Sequence, residues 1–199
     1  MVYLRSKVMN IDRKLIQDCI NNNRQSQHLL YKYCHPILIP IGLRYLKDRN
    51  DAIAALNKSF MKVLNALNTY EEHQNFNAWI KRIMVNTCID EIRKKTKHQQ
   101  REYPFDPSDH VYKSGSIDWN QAENKLGVEE ILKLVQELPD KTRQVFNLYV
   151  VEGYQHAEVG EILDMSEGTS KWHLSKARKL LQDKLTQLLN EDNLSINAS

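Results

Sequence analysis

Glycine and proline are scarce in this chain, six and five among 199 residues, which leaves too little turn chemistry for the frequent tight corners of an all-β fold. Three cysteines, Cys19, Cys34 and Cys88, stand singly with no CxxC spacing, so neither a disulfide framework nor a redox or zinc motif is indicated. They read as reduced, buried, small apolar side chains. Cys34-His35 together with His28 finds no fourth ligand at a recognisable spacing, so ordinary packing accounts for them and no metal is expected. No apolar run approaches the roughly 18 residues of a membrane span, and no charged-then-apolar leader opens the chain. The expectation is a cytoplasmic protein without membrane insertion. Paired carboxylates, a nucleophile-plus-base set and a Gly-rich phosphate loop are all missing, which argues against an enzyme and calls for no cofactor. The formal net charge of +3 is too small to announce nucleic-acid binding by itself, so any such case rests on where the charge lies.

What remains, rich in Leu, Ile, Lys, Asn, Gln and Glu, is the composition of an all-α protein. Two small helical domains joined by a flexible linker are expected, with boundaries 1–97, 98–121, 122–190 and a polar tail at 191–199. The linker is drawn where helical periodicity dissolves around Pro104, Pro107 and Ser114-Gly115-Ser116. In the first domain, Asn10 or Asp12 can cap a short helix that Asn21-Asn22-Asn23 ends. A longer pattern follows through Leu29, Leu30, Tyr33, Ile37, Ile41 and Tyr45, with a bend or interruption predicted at Pro36 and Pro40. After a turn at 48–51, Ile53, Leu56, Phe60, Val63, Leu64 and Leu67 keep helical spacing. Asn77 can cap the next helix, which runs to about Lys97. At about 100° per residue, Trp79, Ile83, Asn86, Asp90 and Arg93 share one narrow stripe of it. Ile80, Met84, Thr87 and Cys88 make the neighbouring, more apolar face. The helix ends in Arg93-Lys94-Lys95-Thr96-Lys97. That run is either a solvated end favoured by the helix dipole or a phosphate track beside a stacking surface.

The second half begins with a helix expected at 122–137, Val128, Ile131, Leu132 and Val135 inward. Pro139 opens another, which carries Val145, Phe146, Leu148, Tyr149 and Val150 and stops at Gly153. A helix-turn-helix comes next. Its first helix, 155–163, puts Val159, Ile162 and Leu163 on one side, and Gly160 is placed where two crossing helices approach most closely. The turn is 164–168, where Asp164 tolerates a left-handed corner and Gly168-Thr169 can open the next helix. That helix turns Ser170, Leu174, Ala177 and Leu181 inward, with Lys171, Trp172, Ser175, Lys176 and Lys179 on the other side. Cations, short polar groups and one large aromatic suit a helix lying in a DNA major groove. The plainer account is a solvated face in a helical bundle, against which an outward Trp172 counts.

Two blocks, in this order and separation, resemble the extracytoplasmic-function group of the sigma-70 family, the small specificity subunits of bacterial RNA polymerase. NFNAWIKRIMVNTCIDEIRKK is similar to the family's region 2 signature at Phe76, Trp79, Ile83, Asn86, Asp90 and Arg93. LPDKTRQVF, EVGEIL and GTSKWHLSKARKLL resemble region 4 at Leu138, Pro139, Arg143, Glu158, Ile162, Gly168, Thr169, Ala177, Arg178 and Leu180. The chain departs from the pattern where an acidic pair and a Gln are usual, at Ile53, Ala54 and Asn57. It departs again at Lys58 in place of an acid, at Glu71-Glu72 in place of Arg-Gly, at Ser170 in place of Val, and at Asp164 in place of Gly.

The resemblance implies a sigma factor that binds core RNA polymerase and promoter DNA, both duplex and melted strand, with an anti-sigma factor as a further partner. Minus-35 recognition would fall to Thr169, Lys171, Trp172, His173, Ser175, Lys176, Arg178 and Lys179. The minus-10 element and melting would fall to Tyr70, Phe76, Trp79, Asn86, Asp90, Arg93, Lys94 and Lys97. Polymerase docking would use Asp51, Ile53, Leu56, Asn57 and Phe60. Melting needs a wall for an extracted base and an amide to read its edge, and Asn86 beside Trp79 can supply both. A surface amide bonded locally is the plainer account of Asn86. The rival functions are a helix-turn-helix regulator with an N-terminal sensing or dimerisation domain, and a helical adaptor that binds protein only.

Overall fold

Side-chain oxygens start each helix of the N-terminal half. Asp12 accepts from the Leu15 amide at 2.8 Å and opens α1 (Arg13–Ile20). Asn23 accepts from Ser26 at 3.1 Å and opens α2 (Arg24–Tyr45). Asp48 accepts from Asn50 and Asp51 and opens α3 (Arg49–Ala66). Asn75 accepts from Ala78 at 3.1 Å and opens α4 (Phe76–Gln99). Each such cap contributes about 1 kcal/mol. The cap of α4 is therefore Asn75 and not Asn77, whose side chain instead accepts from the Tyr33 hydroxyl at 2.7 Å. The computed structural model describes residues 11–71, 75–99 and 128–196, with the side chains of 11–71, 75–95 and 130–188, and every regular element among them is helical.

The chain divides into two units, Met1–Gln100 and Arg101–Ser199. In the first, α2, α3 and α4 pack on one another and α1 packs on α2. The core holds Leu30, Leu38, Ile41, Tyr45, Leu56, Val63, Leu67, Ile80, Met84 and Ile89. Of the bend or interruption expected at the prolines, the interruption does not occur: α2 is continuous with Pro36 and Pro40 inside it. Both are solvent-exposed, as is Lys32 one turn earlier, so the carbonyls that lose a helical partner face water and stay satisfied. The three cysteines are buried and free, as expected. Burial pushes the Cys19 thiol up to about 11 and the Cys34 thiol to about 12, so both are unreactive. The backbone of α4 is helical past Lys97 to Gln99, and most of the segment read as a linker lies outside the described residues, as do 122–127.

In the second unit, α5 (Val128–Gln136) and α6 (Asp140–Phe146) meet at a corner held by Arg143. Only 3% exposed, its guanidinium donates to the carbonyls of Gln136 and Leu138 at 3.0 and 3.2 Å and pairs with Asp140 at 3.0 Å. It thereby satisfies carbonyls that the end of α5 leaves open. A wide π-turn, Asn147–Val151, extends α6. The extra residue in the turn rotates the end of this segment, and Val150 is 42% exposed and Val151 47%.

A capping box of Gln155 and Glu158 opens α7 (His156–Leu163). Asp164 takes the left-handed conformation, φ 55°, as its residue type predicted. Gly160 is needed for a different reason from the one expected. A Cβ there would lie 2.7 Å from the Met165 carbonyl oxygen, in the turn rather than on the crossing helix. The next helix, α8 (Glu167–Ile196), starts earlier than the sequence suggested, capped by Ser166 accepting from the Thr169 amide at 3.0 Å. It is 30 residues long and runs through most of the stretch assigned to a tail. Residues 191–196 contain no Gly or Pro to stop it. Because the Met165 carbonyl is backbone and cannot swing aside, Gly160→Ala should destabilise this unit by about 1–3 kcal/mol. Chemical denaturation of parent and variant measures the difference.

Candidate nucleic-acid interface

The inward stripe of α8 is the predicted one, Ser170, Leu174, Ala177 and Leu181 all being buried, with Leu185 continuing it. Ser170 is fully buried, and its hydroxyl would cost free energy unless paired. It hydrogen-bonds with His156 Nδ1 of α7 at 2.9 Å, and the His156 ring stacks on Tyr149 with centroids 4.1 Å apart. A second contact of the same kind lies on the flank of the stripe, where His173 Nδ1 and the buried Thr142 hydroxyl of α6 are 3.0 Å apart. Two histidine–hydroxyl bonds thus tie the start of α8 to both neighbouring helices.

This changes the role of two residues expected to face DNA. His173 is half-buried with Nδ1 engaged by α6, and the Thr169 hydroxyl is 2.8 Å from that of Ser166 within the cap. Both hold α8 in place. Lys171 and Lys179 are exposed, while Trp172, Ser175, Lys176 and Arg178 are half-buried. Lys171 pairs with Glu167 at 2.6 Å. The Lys176 ammonium sits 4.5 Å over the Trp172 ring, and the His173 ring meets Trp172 edge-on at 4.8 Å. The indole is held from two directions.

In the first unit the structure brings Tyr70, Phe76 and Trp79 together, with ring centroids 5.1–5.6 Å apart. Phe76 is interior at 8% exposure, with Tyr33 behind it, and Tyr70 and Trp79 form a half-buried rim. Asn86, two helical turns beyond Trp79, is exposed and its amide has no hydrogen-bond partner among the described residues. One residue escaped the sequence reading. Arg82 is exposed on the same edge, three residues after Trp79 and four before Asn86. Its spacing could have revealed it.

Among the remaining candidates, Asp51, Asp90 and Lys94 are engaged in ion pairs. Asp90 pairs with Lys62 at 3.1 Å, Glu91 with Lys58 at 2.6 Å and with Lys94 at 3.1 Å, and Asp51 with Lys95. The Lys58 hydrogen bond holds the Glu91 carboxyl below its ordinary range. Lys58 therefore stands beside an acid of α4. Arg93 is exposed, and the side chain of Lys97 lies outside the described ones, as does Glu72. On α3, Ile53 is 39% exposed, and Asn57 is exposed and accepts from the Tyr31 hydroxyl at 3.1 Å. Leu56 and Phe60, expected at the same docking surface, are 1% and 8% exposed and belong to the core. Their i, i+4 spacing is that of the buried stripe.

Burial, then the charges of Lys176 and Lys141, pull His173 from 6.5 down to about 4. Burial and Lys171, with a smaller push from Arg178 and partial opposition from Glu167, lower His156 as well. Both rings are neutral at pH 7. A folded-state pKa below the unfolded one stabilises fully above the unfolded value and less as pH falls. The unit should therefore lose stability between about pH 6.5 and pH 4, as His173 binds a proton more readily unfolded than folded. Thermal melting across that window should show the loss, and His173→Gln should reduce its slope.

The family description "Sigma-70 region 2" matches residues 30–98 and "Sigma-70, region 4" matches residues 128–181. Among curated proteins, the ECF RNA polymerase sigma-E factor of Haemophilus influenzae is 22% identical over 184 residues, covering 89% of this chain and 97% of that protein. The ECF RNA polymerase sigma factor SigW of Bacillus subtilis is 26% identical over 165 residues, covering 80% and 84%. A solved structure of the sigma factor RpoE in complex with the anti-sigma factor NepR, from Bartonella quintana, is similar with a TM-score of 0.48 and 22% identity, covering 84% of this chain and 98% of that one.

Proposed function

Since this chain belongs to the extracytoplasmic-function group of the sigma-70 family, we propose a division of its work between the two units. The second unit binds the duplex minus-35 element through the outer face of α8. Lys171, Lys176, Arg178 and Lys179 meet phosphates and base edges, with Trp172 and Ser175 between them. The first unit binds core RNA polymerase through the exposed side of α3 around Ile53 and Asn57, and melts the minus-10 element along the α4 edge of Trp79, Arg82, Asn86 and Arg93. The protein works as an initiation factor in the cytoplasm and leaves the chemistry to polymerase. An anti-sigma factor that covers these surfaces belongs to the same proposal.

The observation that carries the reading is the α4 edge. Unstacking a base costs a few kcal/mol and needs a surface to receive it. Tyr70 and Trp79 offer an aromatic rim supported from behind by Phe76. The exposed Asn86 amide has donor and acceptor available to read a base edge. Promoter-directed transcription with core polymerase tests the function. If the chain binds duplex DNA but directs no transcription, it is a regulator instead.

Asn86→Ala should change stability by less than about 0.5 kcal/mol, because the residue is exposed. It should reduce open-complex formation on duplex promoters and recover on pre-melted ones. Permanganate reactivity of promoter thymines on matched templates reads this out, and equal melting by variant and parent would make Asn86 a surface amide.

Lys171→Ala with Lys176→Ala should flatten the salt dependence of duplex binding by roughly one unit of slope per lost phosphate contact. An unchanged slope would remove α8 from the interface.

A further inference from the structure

We propose that Trp172 is the specificity-determining residue of α8 and that it reads thymine in the duplex, through contact of its indole rim with the C5 methyl group. The inference rests on the placement of α8 in a major groove proposed above. Trp172 lies in the second turn of α8, the part of a recognition helix that reaches base edges. Lys171 and Lys176 lie beside it in the sequence pattern, suited to phosphates on either side.

An indole has three ways to engage DNA. It can stack on a base, but bases in a duplex are already stacked, and one face of this ring carries the Lys176 ammonium at 4.5 Å. It can donate its N–H, but every base pair presents an acceptor in the major groove, as N7, O6 or O4, so donation alone discriminates poorly. The third way is apolar contact, and the thymine methyl is the one methyl group that the major groove offers. Desolvating that methyl against aromatic carbon rewards thymine over every other base.

The structure favours the third way because the ring is already positioned. The His173 ring meets it edge-on at 4.8 Å, and His173 is itself tied to Thr142 of α6. The His156–Ser170 bond fixes the turn of α8 just before it. A side chain held this way loses little further rotamer freedom on binding, so the methyl contact is not offset by ordering.

The test uses the full chain assembled with core polymerase. Promoters with a randomised upstream segment and a pre-melted downstream bubble are passed over the assembly, and the retained upstream sequence is determined. Each thymine of that sequence is then replaced, one at a time, by uracil, which keeps O4 and loses only the methyl. At one position or two adjacent ones, uracil should weaken retention about fourfold, the worth of one buried methyl-sized group. Trp172→Phe, which keeps an apolar ring, should preserve the preference, and Trp172→Ala should bind both versions equally. Tolerance of uracil at every position by the parent would overturn the proposal, as would an undiminished preference in Trp172→Ala. Retention without any enriched sequence would instead overturn duplex reading by α8, and the thymine contact with it.

Discussion

The approach of the Met165 carbonyl to Gly160 sets the geometry of the second unit. That oxygen stands where a Cβ of residue 160 would come within 2.7 Å, so the turn can fold back over α7 only with glycine there. The left-handed Asp164 and the Met165 amide bonding to the Gly160 carbonyl at 3.0 Å complete the corner. From it α8 leaves in one direction. Ser170, Leu174 and Ala177 then fall against α6 and α7, and the cationic, aromatic side falls opposite. A bulkier turn would move every side chain of α8 that the proposed DNA contact uses, because a helix rotates as a rigid body.

Polar bonds then refine what apolar packing leaves loose. A buried aliphatic side chain at position 170 would fill space without choosing a rotation of α8. The Ser170 hydroxyl chooses one by bonding with His156, and Thr142 does the same through His173. Such bonds contribute about 1 kcal/mol each, but leaving one buried partner unpaired costs more. Both imidazoles stay neutral because they are desolvated among cations. The lysines stay at the surface while the histidines beneath serve as braces.

In the first unit the three acids of α3 and α4 are all engaged by lysines. Lys58, Lys62 and Lys95 meet Glu91, Asp90 and Asp51. Exposed pairs of this kind stabilise by about 0–1 kcal/mol and weaken with salt. Their larger effect is on the character of the surface. The α3 face keeps exposed Ile53 and Met61, 39% and 55% accessible, beside lysines engaged by α4. That face is apolar and lysine-bearing where the family pattern would offer acids.

Apolar periodicity determined which side of α4 and α8 is buried, because burial of a helix follows a repeat of about 3.6 residues whatever it packs against. The left-handed corner at Asp164 and the inertness of the cysteines were legible for the same local reason. What the sequence could not decide was which partner each polar group would meet. Asn75 and Asn77 are equally good caps by type, and only the position of the Tyr33 hydroxyl assigns them. Ser166 rather than Gly168 opens α8 because its hydroxyl reaches the Thr169 amide. Leu56 and Phe60 read as surface anchors until α2 and α4 covered them, and His173 read as a DNA contact until α6 placed Thr142 against it. The pairs Lys58–Glu91 and Lys62–Asp90 join residues 33 and 28 positions apart. Periodicity is a property of one helix, but a hydrogen bond or ion pair between helices depends on their packing, and that is set only when the tertiary structure forms.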